Sequence, residues 1–159
     1  MSDLSGLYQD LILDHSRRRV GEGPLPDADA ERFVRNPSCG DEVTARVKLD
    51  RSSAEPRIAE IAWEGDGCSI SIAGASMLAE QFVGGTVAQA REAIDLVRTM
   101  LRSRGRVNYE DGSPEAERIG DAIALAGTAK YVMRVKCAML AFVALEQALD
   151  EAAPPAGTG

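Results

Sequence analysis

A thiol and a carboxylate two residues apart, in a segment that must turn, are the first feature of this sequence that could do chemistry. In Asn36-Pro37-Ser38-Cys39-Gly40-Asp41, Pro37 fixes its own φ and pushes Asn36 toward extended geometry, while Gly40 can take left-handed conformations closed to other residues. Cys39 and Asp41 can then point to the same side of a tight loop, which makes half of a metal site or an activated thiol. A second cysteine, Cys68, follows Gly65-Asp66-Gly67 where a helix begins. Unpaired N–H groups and the positive end of the helix dipole favour a thiolate there. The third, Cys137, lies in the first turns of the last helix and by itself reads as a small buried apolar side chain.

If the three thiols converge, Zn2+ is the natural ion, because thiolates suit it and it takes four tetrahedral ligands. Asp41 is the better fourth ligand and Asp66 the other choice. Spacing alone says little about a metal, since no paired-cysteine motif is present. The one histidine, His15, follows Asp14 near a helix end and reads as a helix-end charge or a surface contact rather than a ligand.

These residues need elements to position them. Leu4, Leu7, Tyr8, Leu11 and Ile12 form one face of a first helix running to about Arg17. A loop rich in Gly, Pro and Asp follows over residues 20–31, then a short strand over 32–35 that leads into the Cys39 turn. Val43, Ala45, Val47 and Leu49 alternate with polar residues, as in a strand with one buried face. Ala59, Ile61 and Trp63 repeat that alternation after a polar hairpin. Helices are expected from Ser69 to Val83, with small residues Ala73, Gly74, Ala75 and Ser76 permitting close approach, and from the capping box Thr86-Val87-Ala88-Gln89 to about Gly105. A short helix starts at Ser113-Pro114 and is closed by Gly127, and a last one spans about Met133 to Glu151. The pattern is α+β: a small antiparallel sheet of about three strands packed on one face by several helices, with each cysteine at an element end.

The length of 159 residues fits a single domain, expected over residues 1–151 with an unstructured tail over 152–159. A formal charge of −7 argues against nucleic acid and anionic membranes as partners, both of which demand a basic face. No stretch approaches a membrane span and the N-terminus lacks a signal-peptide pattern, so the expected location is cytoplasmic. Three widely spaced cysteines do not make a disulfide framework and read as thiols or ligands.

Three segments in order, Asn36 to Asp41, Gly65-Asp66-Gly67-Cys68-Ser69-Ile70-Ser71 and Arg134-Val135-Lys136-Cys137-Ala138, resemble the signatures of the SufU family, zinc-dependent sulfurtransferases related to IscU-type iron–sulfur scaffolds and NifU N-terminal domains. Leu7-Tyr8-Gln9-Asp10 through Asp14-His15 is similar to the family's opening helix. IscU-like scaffolds carry a histidine immediately before the last cysteine; here that position is Lys136, which cannot be a ligand while protonated. The long interval between Cys68 and Cys137 has room for the SufU insertion, around residues 102–120. Two segments depart from the family: Arg18-Arg19-Val20-Gly21-Glu22-Gly23, which bears on how the N-terminal region docks, and the region near Val132, where a proline is usual.

The resemblance implies a protein that accepts persulfide sulfur from a pyridoxal-phosphate cysteine desulfurase of the SufS type and passes it to a downstream iron–sulfur scaffold. It implies Zn2+ held by Cys39, Asp41, Cys68 and Cys137, with Cys39 displaced by a histidine of the partner enzyme and serving as sulfur acceptor. Arg134 and Lys136 are candidates for orienting the site or binding the partner. The alternative is an IscU-like scaffold assembling a [2Fe–2S] cluster on the same cysteines.

Overall fold

In the computed structural model, which describes residues 3–38 and 40–154, strand β2 (Glu42–Asp50) buries Val43, Ala45, Val47 and Leu49 on one face. Successive strand residues face opposite ways, so this alternation both makes the strand and aims it at the core. β2 is the centre of a three-stranded antiparallel sheet of order β1-β2-β3. β1 spans Ala30–Arg35, beginning at Ala30 rather than Arg32, because Asp29 already ties the preceding loop to β2. The Asp29 N–H donates to the Val47 carbonyl at 2.8 Å, and its carboxylate accepts from the Leu49 N–H at 2.6 Å.

β3 (Arg57–Asp66) departs from simple alternation. Lys48 pairs with Glu60 but Leu49 pairs with Ile58, so Ala59 is the extra residue of a bulge. Ala59 is therefore exposed instead of core-facing, and Ile58 is fully buried beside Ile61 and Trp63.

Five α-helices accompany the sheet: α1 (Asp3–Arg18), α2 (Ser69–Phe82), α3 (Val87–Arg102), α4 (Pro114–Ile119) and α5 (Val132–Ala152). α5 lies across β1 and β2, and α2 packs on β3 and α5. A Cβ on Gly74 of α2 would stand 3.3 Å from the Ala138 carbonyl and 3.5 Å from the Phe142 ring, so the small-residue stretch is where α2 and α5 close together. The opposite sheet face carries exposed Phe33 and an Arg46 side chain bridging Glu31 and Glu64 at 2.6 Å each. The helices thus cover one face, as the α+β pattern required.

The capping box at Thr86 and Gln89 is formed, with both reciprocal bonds at 3.0 Å. Ser113 caps α4, accepting from the Ala116 N–H at 3.1 Å. That helix ends at Gly120 instead of Gly127; the chain continues as a 3-10 helix over Gly120–Thr128, with Ala122, Ala124 and Leu125 buried. On α1, Tyr8, Leu11 and Ile12 pack partly against the core but Leu7 is 53% exposed, because the stripe covered by α2 and the 3-10 helix is narrower than the apolar pattern. The side chain of Leu4 lies outside the described residues. α5 extends to Ala152, and the Arg91 guanidinium donates to the Ala153 carbonyl at 2.5 Å, so the expected loose tail does not begin at residue 152; residues 155–159 lie outside the described ones. Among the described residues no helix is long and apolar enough to cross a membrane.

Candidate metal centre

Three elements end at one place. The pairing of Glu42 with Asp66 sets the residue before β2, Asp41, beside the residue after β3, Gly67. A Cβ at Gly67 would lie 2.7 Å from Asp41 Cγ, so the carboxylate occupies space that only glycine leaves open. The next residue, Cys68, is the N-cap of α2 in extended conformation, as its position before the helix suggested. Cys137, in the second turn of α5, comes in from the side because α2 and α5 pack so closely. One carboxylate oxygen of Asp41 and the sulfurs of Cys68 and Cys137 all lie within 4.8 Å of one another. Asp41 and Cys137 are buried; Cys68 is exposed and opens the cluster to solvent.

This donor set fits zinc. Thiolate arms of about 2.3 Å in a tetrahedron place sulfurs about 3.8 Å apart, within about an ångström of the observed limit. Two thiols with one carboxylate are soft and hard donors that Zn2+ accepts together. With Cys39 added the count would reach four, but Cys39 lies outside the described residues.

Asp41 is held from behind. Its Oδ2 accepts from the Ser71 hydroxyl at 2.5 Å and from the Cys68 N–H at 3.4 Å, while Ser71 Oγ also lies 3.6 Å from Cys68 Sγ. Burial pushes the Asp41 carboxyl up, but hydrogen bonds from Ser71, the Cys68 thiol, the Cys68 N–H and the Cys137 thiol together hold it below its ordinary 3.8. The second oxygen, Oδ1, remains as a donor. A ligand carboxylate hydrogen-bonded on its other oxygen is the usual arrangement of a metal site.

The loop before Asp41 is closed at its foot. Asn36 N–H donates to the Asp41 carbonyl and Gly40 N–H to the Asn36 carbonyl, both at 2.8 Å, and Asn36 Oδ1 accepts from Ser38 N–H at 3.0 Å. Gly40 takes φ +78°, the left-handed geometry anticipated for it.

The other candidates fall elsewhere. Asp66, the other choice of ligand, is exposed at the end of β3 and outside the cluster. Arg134 and Lys136 are exposed on α5; the Arg134 guanidinium stacks 5.2 Å from the Tyr131 ring centroid. His15 lies in the last turn of α1, as expected, but it is not a surface contact: it is fully buried. Its Nδ1 is bonded to Ser76 Oγ at 2.8 Å and its Nε2 to Asp121 at 2.9 Å, with Glu80 at 3.6 Å. The small Ser76 of α2 leaves the space that the imidazole fills. Arg18, bonded to Glu80 at 2.9 Å, already supplies the cation for that group of acids.

Ser71 is the site residue that sequence reasoning missed. The signal available was its place three residues beyond the N-cap Cys68, the position whose side chain reaches back over a helix start.

Residues 7–138 match the family described as NifU-like N terminal domain. The chain is 35% identical over 153 residues to the iron–sulfur cluster assembly scaffold protein IscU of Streptococcus pyogenes serotype M1, covering 96% of this chain and 89% of that protein. It is 33% identical over 146 residues to the zinc-dependent sulfurtransferase SufU of Bacillus subtilis (strain 168), covering 92% and 91%. Among solved structures, a Fervidobacterium islandicum AW-1 protein described as a candidate iron–sulfur cluster assembly scaffold for the SUF system superimposes with a TM-score of 0.71 at 30% identity, covering 88% of this chain and 94% of that one.

Proposed function

This chain belongs to the family of NifU-like N-terminal domains, which serves iron–sulfur cluster assembly, and on that premise we propose that it is a zinc-dependent sulfurtransferase taking persulfide sulfur from a cysteine desulfurase. The observation that carries the reading is the Asp41, Cys68 and Cys137 cluster with an exposed Lys136 beside it. At the position where the scaffold branch offers a histidine, this chain offers a cation that cannot bind metal while protonated. The fourth place then falls to Cys39, the one remaining cysteine.

Zinc bound there would keep the thiols deprotonated near neutral pH and protected from oxidation. The transfer itself is an exchange between sulfurs. The Cys39 thiolate attacks the terminal sulfur of the donor's persulfide; the donor's S–S bond breaks, its thiolate leaves with the electron pair, and a new S–S bond forms on Cys39 without net oxidation. A glycine-flanked loop closed at its foot by Asn36 suits a ligand that must leave and return, whereas Cys68 and Cys137 are fixed by helices. Asp41, held by Ser71, keeps its place throughout. We assign a single domain that ends with α5 at Ala152, one residue beyond the expected boundary of 1–151.

The test is the turnover of a cognate pyridoxal-phosphate cysteine desulfurase with and without the zinc-loaded chain, without added thiol reductant. We expect strong stimulation that Cys39→Ala abolishes. Full stimulation by Cys39→Ala would move the acceptor role to Cys68 or Cys137, and no stimulation by the native chain would refute the reading.

A further inference from the structure

The start of α5 exposes what the rest of the molecule hides. Tyr131, Val132 and Met133 are consecutive and 55%, 62% and 50% exposed, on the turns of helix that lead directly to Cys137. Cations surround them. Lys130, Arg134 and Lys136 flank them in sequence, and the loop after α3 brings Arg104 and Arg106 alongside, since a Cβ on Gly105 would touch the Lys130 side chain at 3.3 Å. All five are exposed, and among the described residues none has a carboxylate within 4.0 Å. Elsewhere Arg18, Arg19, Arg32, Arg46, Lys48, Arg91, Arg98 and Arg118 are each paired with acids. Arg17, Arg35, Arg51, Arg57 and Arg102 also have no carboxylate within 4.0 Å among the described residues, so in a chain of net charge −7 half of the ten such cations lie around one apolar patch, next to the candidate metal centre.

The geometry points to Tyr131, Val132 and Met133, ringed by Arg104, Arg106, Lys130, Arg134 and Lys136, as the docking surface for a protein that presents carboxylates around an apolar pocket. Resting on the reading above, that protein is the sulfur-donating desulfurase. An apolar centre with a charged rim is the usual anatomy of a specific interface, the centre supplying affinity and the rim steering encounter. Arg134 stacked on Tyr131 already presents a flat, amphipathic pair outward. Nucleic acid would use the cations but not the three apolar side chains, and would meet the acidic remainder of the chain.

The experiment uses the full zinc-loaded chain and its desulfurase, measuring the concentration for half-maximal stimulation and the dissociation constant by calorimetry at low and high salt. The variants are Lys130→Glu/Arg134→Glu and Val132→Ser/Met133→Ser, all at exposed positions, with zinc content and thermal midpoint as checks on folding. The control is Arg57→Glu, a single charge reversal at the other end of β3, about 30 Å along the strand. We expect the charge reversal to weaken binding about tenfold or more at low salt and much less at high salt, where exposed charges are screened. The apolar double variant should weaken binding several-fold at both salts, and the control should match the native chain. Native-like affinity in both double variants, with the native chain still stimulating the enzyme, would overturn this surface and leave the sulfurtransferase reading standing. If the native chain neither binds nor stimulates, both fail together.

Discussion

The Ser71 hydroxyl donates to Asp41 Oδ2 at 2.5 Å and lies 3.6 Å from Cys68 Sγ, so one buried hydroxyl braces two of the three gathered donors. Ser71→Ala removes that brace while leaving every proposed ligand in place. Loss of a partner behind a metal ligand typically costs about 10–100-fold in metal affinity. Competition with a chromophoric chelator should show a drop of that size, with Ser71→Thr recovering part of it. Equal affinity in Ser71→Ala and the native chain would mean that Asp41 is not held for a metal.

Gly67→Ala probes the same carboxylate sterically. The added methyl would meet Asp41 Cγ at 2.7 Å, and the backbone there is tied to β3 and α2. We expect native-like circular dichroism with zinc binding weakened at least as much as in Ser71→Ala. Stoichiometric zinc retained through dialysis against chelator would contradict that expectation.

Acid should act on the metal-free chain through Asp41. Its folded pKa lies below 3.8: burial raises it, and the bonds from Ser71, the Cys68 thiol and N–H, and the Cys137 thiol outweigh burial. A carboxylate with a lowered folded pKa contributes stability that is fully present above the unfolded pKa and is lost as pH falls through the folded one. Urea unfolding of the metal-free chain should therefore show an acid loss below pH 3.8. In Asp41→Asn that part of the loss should be missing. An unchanged acid limb in Asp41→Asn would show that the contribution comes from other carboxyls.

His15 ties α1 to α2 and to the 3-10 helix through Ser76 and Asp121. Truncating it empties a buried site and takes one bond from each partner, leaving the buried Ser76 hydroxyl with only the bond it accepts from the Val20 N–H at 3.0 Å. His15→Ala should lower unfolding stability by about 1–3 kcal/mol. Zinc affinity should be little changed, since the imidazole touches none of the gathered donors. A variant as stable as the native chain would mean that these bonds add nothing beyond what water supplies.

How much of this was legible varies with the physics involved. The buried face of β2 could be read because period two has one structural meaning, and the Thr86 box and the Ser113 cap because local hydrogen bonding decides them. The bulge at Ala59 was not, since the offset between Lys48 and Leu49 belongs to the pairing of two strands and to neither alone. The stop at Gly120 was missed because both Gly120 and Gly127 are plausible ends, and only packing chooses between them. In the site, Asp41, Cys68 and Cys137 could be nominated from turn chemistry and resemblance, yet their convergence depends on the contact of α2 with α5. The burial of His15 was missed for the same reason: its partners lie far away in sequence, at Ser76 and Asp121.

The most direct measurement is mass spectrometry of the zinc-loaded chain after brief exposure to the desulfurase and cysteine, with thiols trapped and the peptides bearing Cys39, Cys68 and Cys137 read separately. Added sulfur on the Cys39 peptide, and on neither of the others, is the expected result. No added sulfur on any of the three, together with the colour of a [2Fe–2S] cluster when the metal-free chain is given iron and sulfide without oxygen, would contradict sulfur transfer and establish scaffolding in its place.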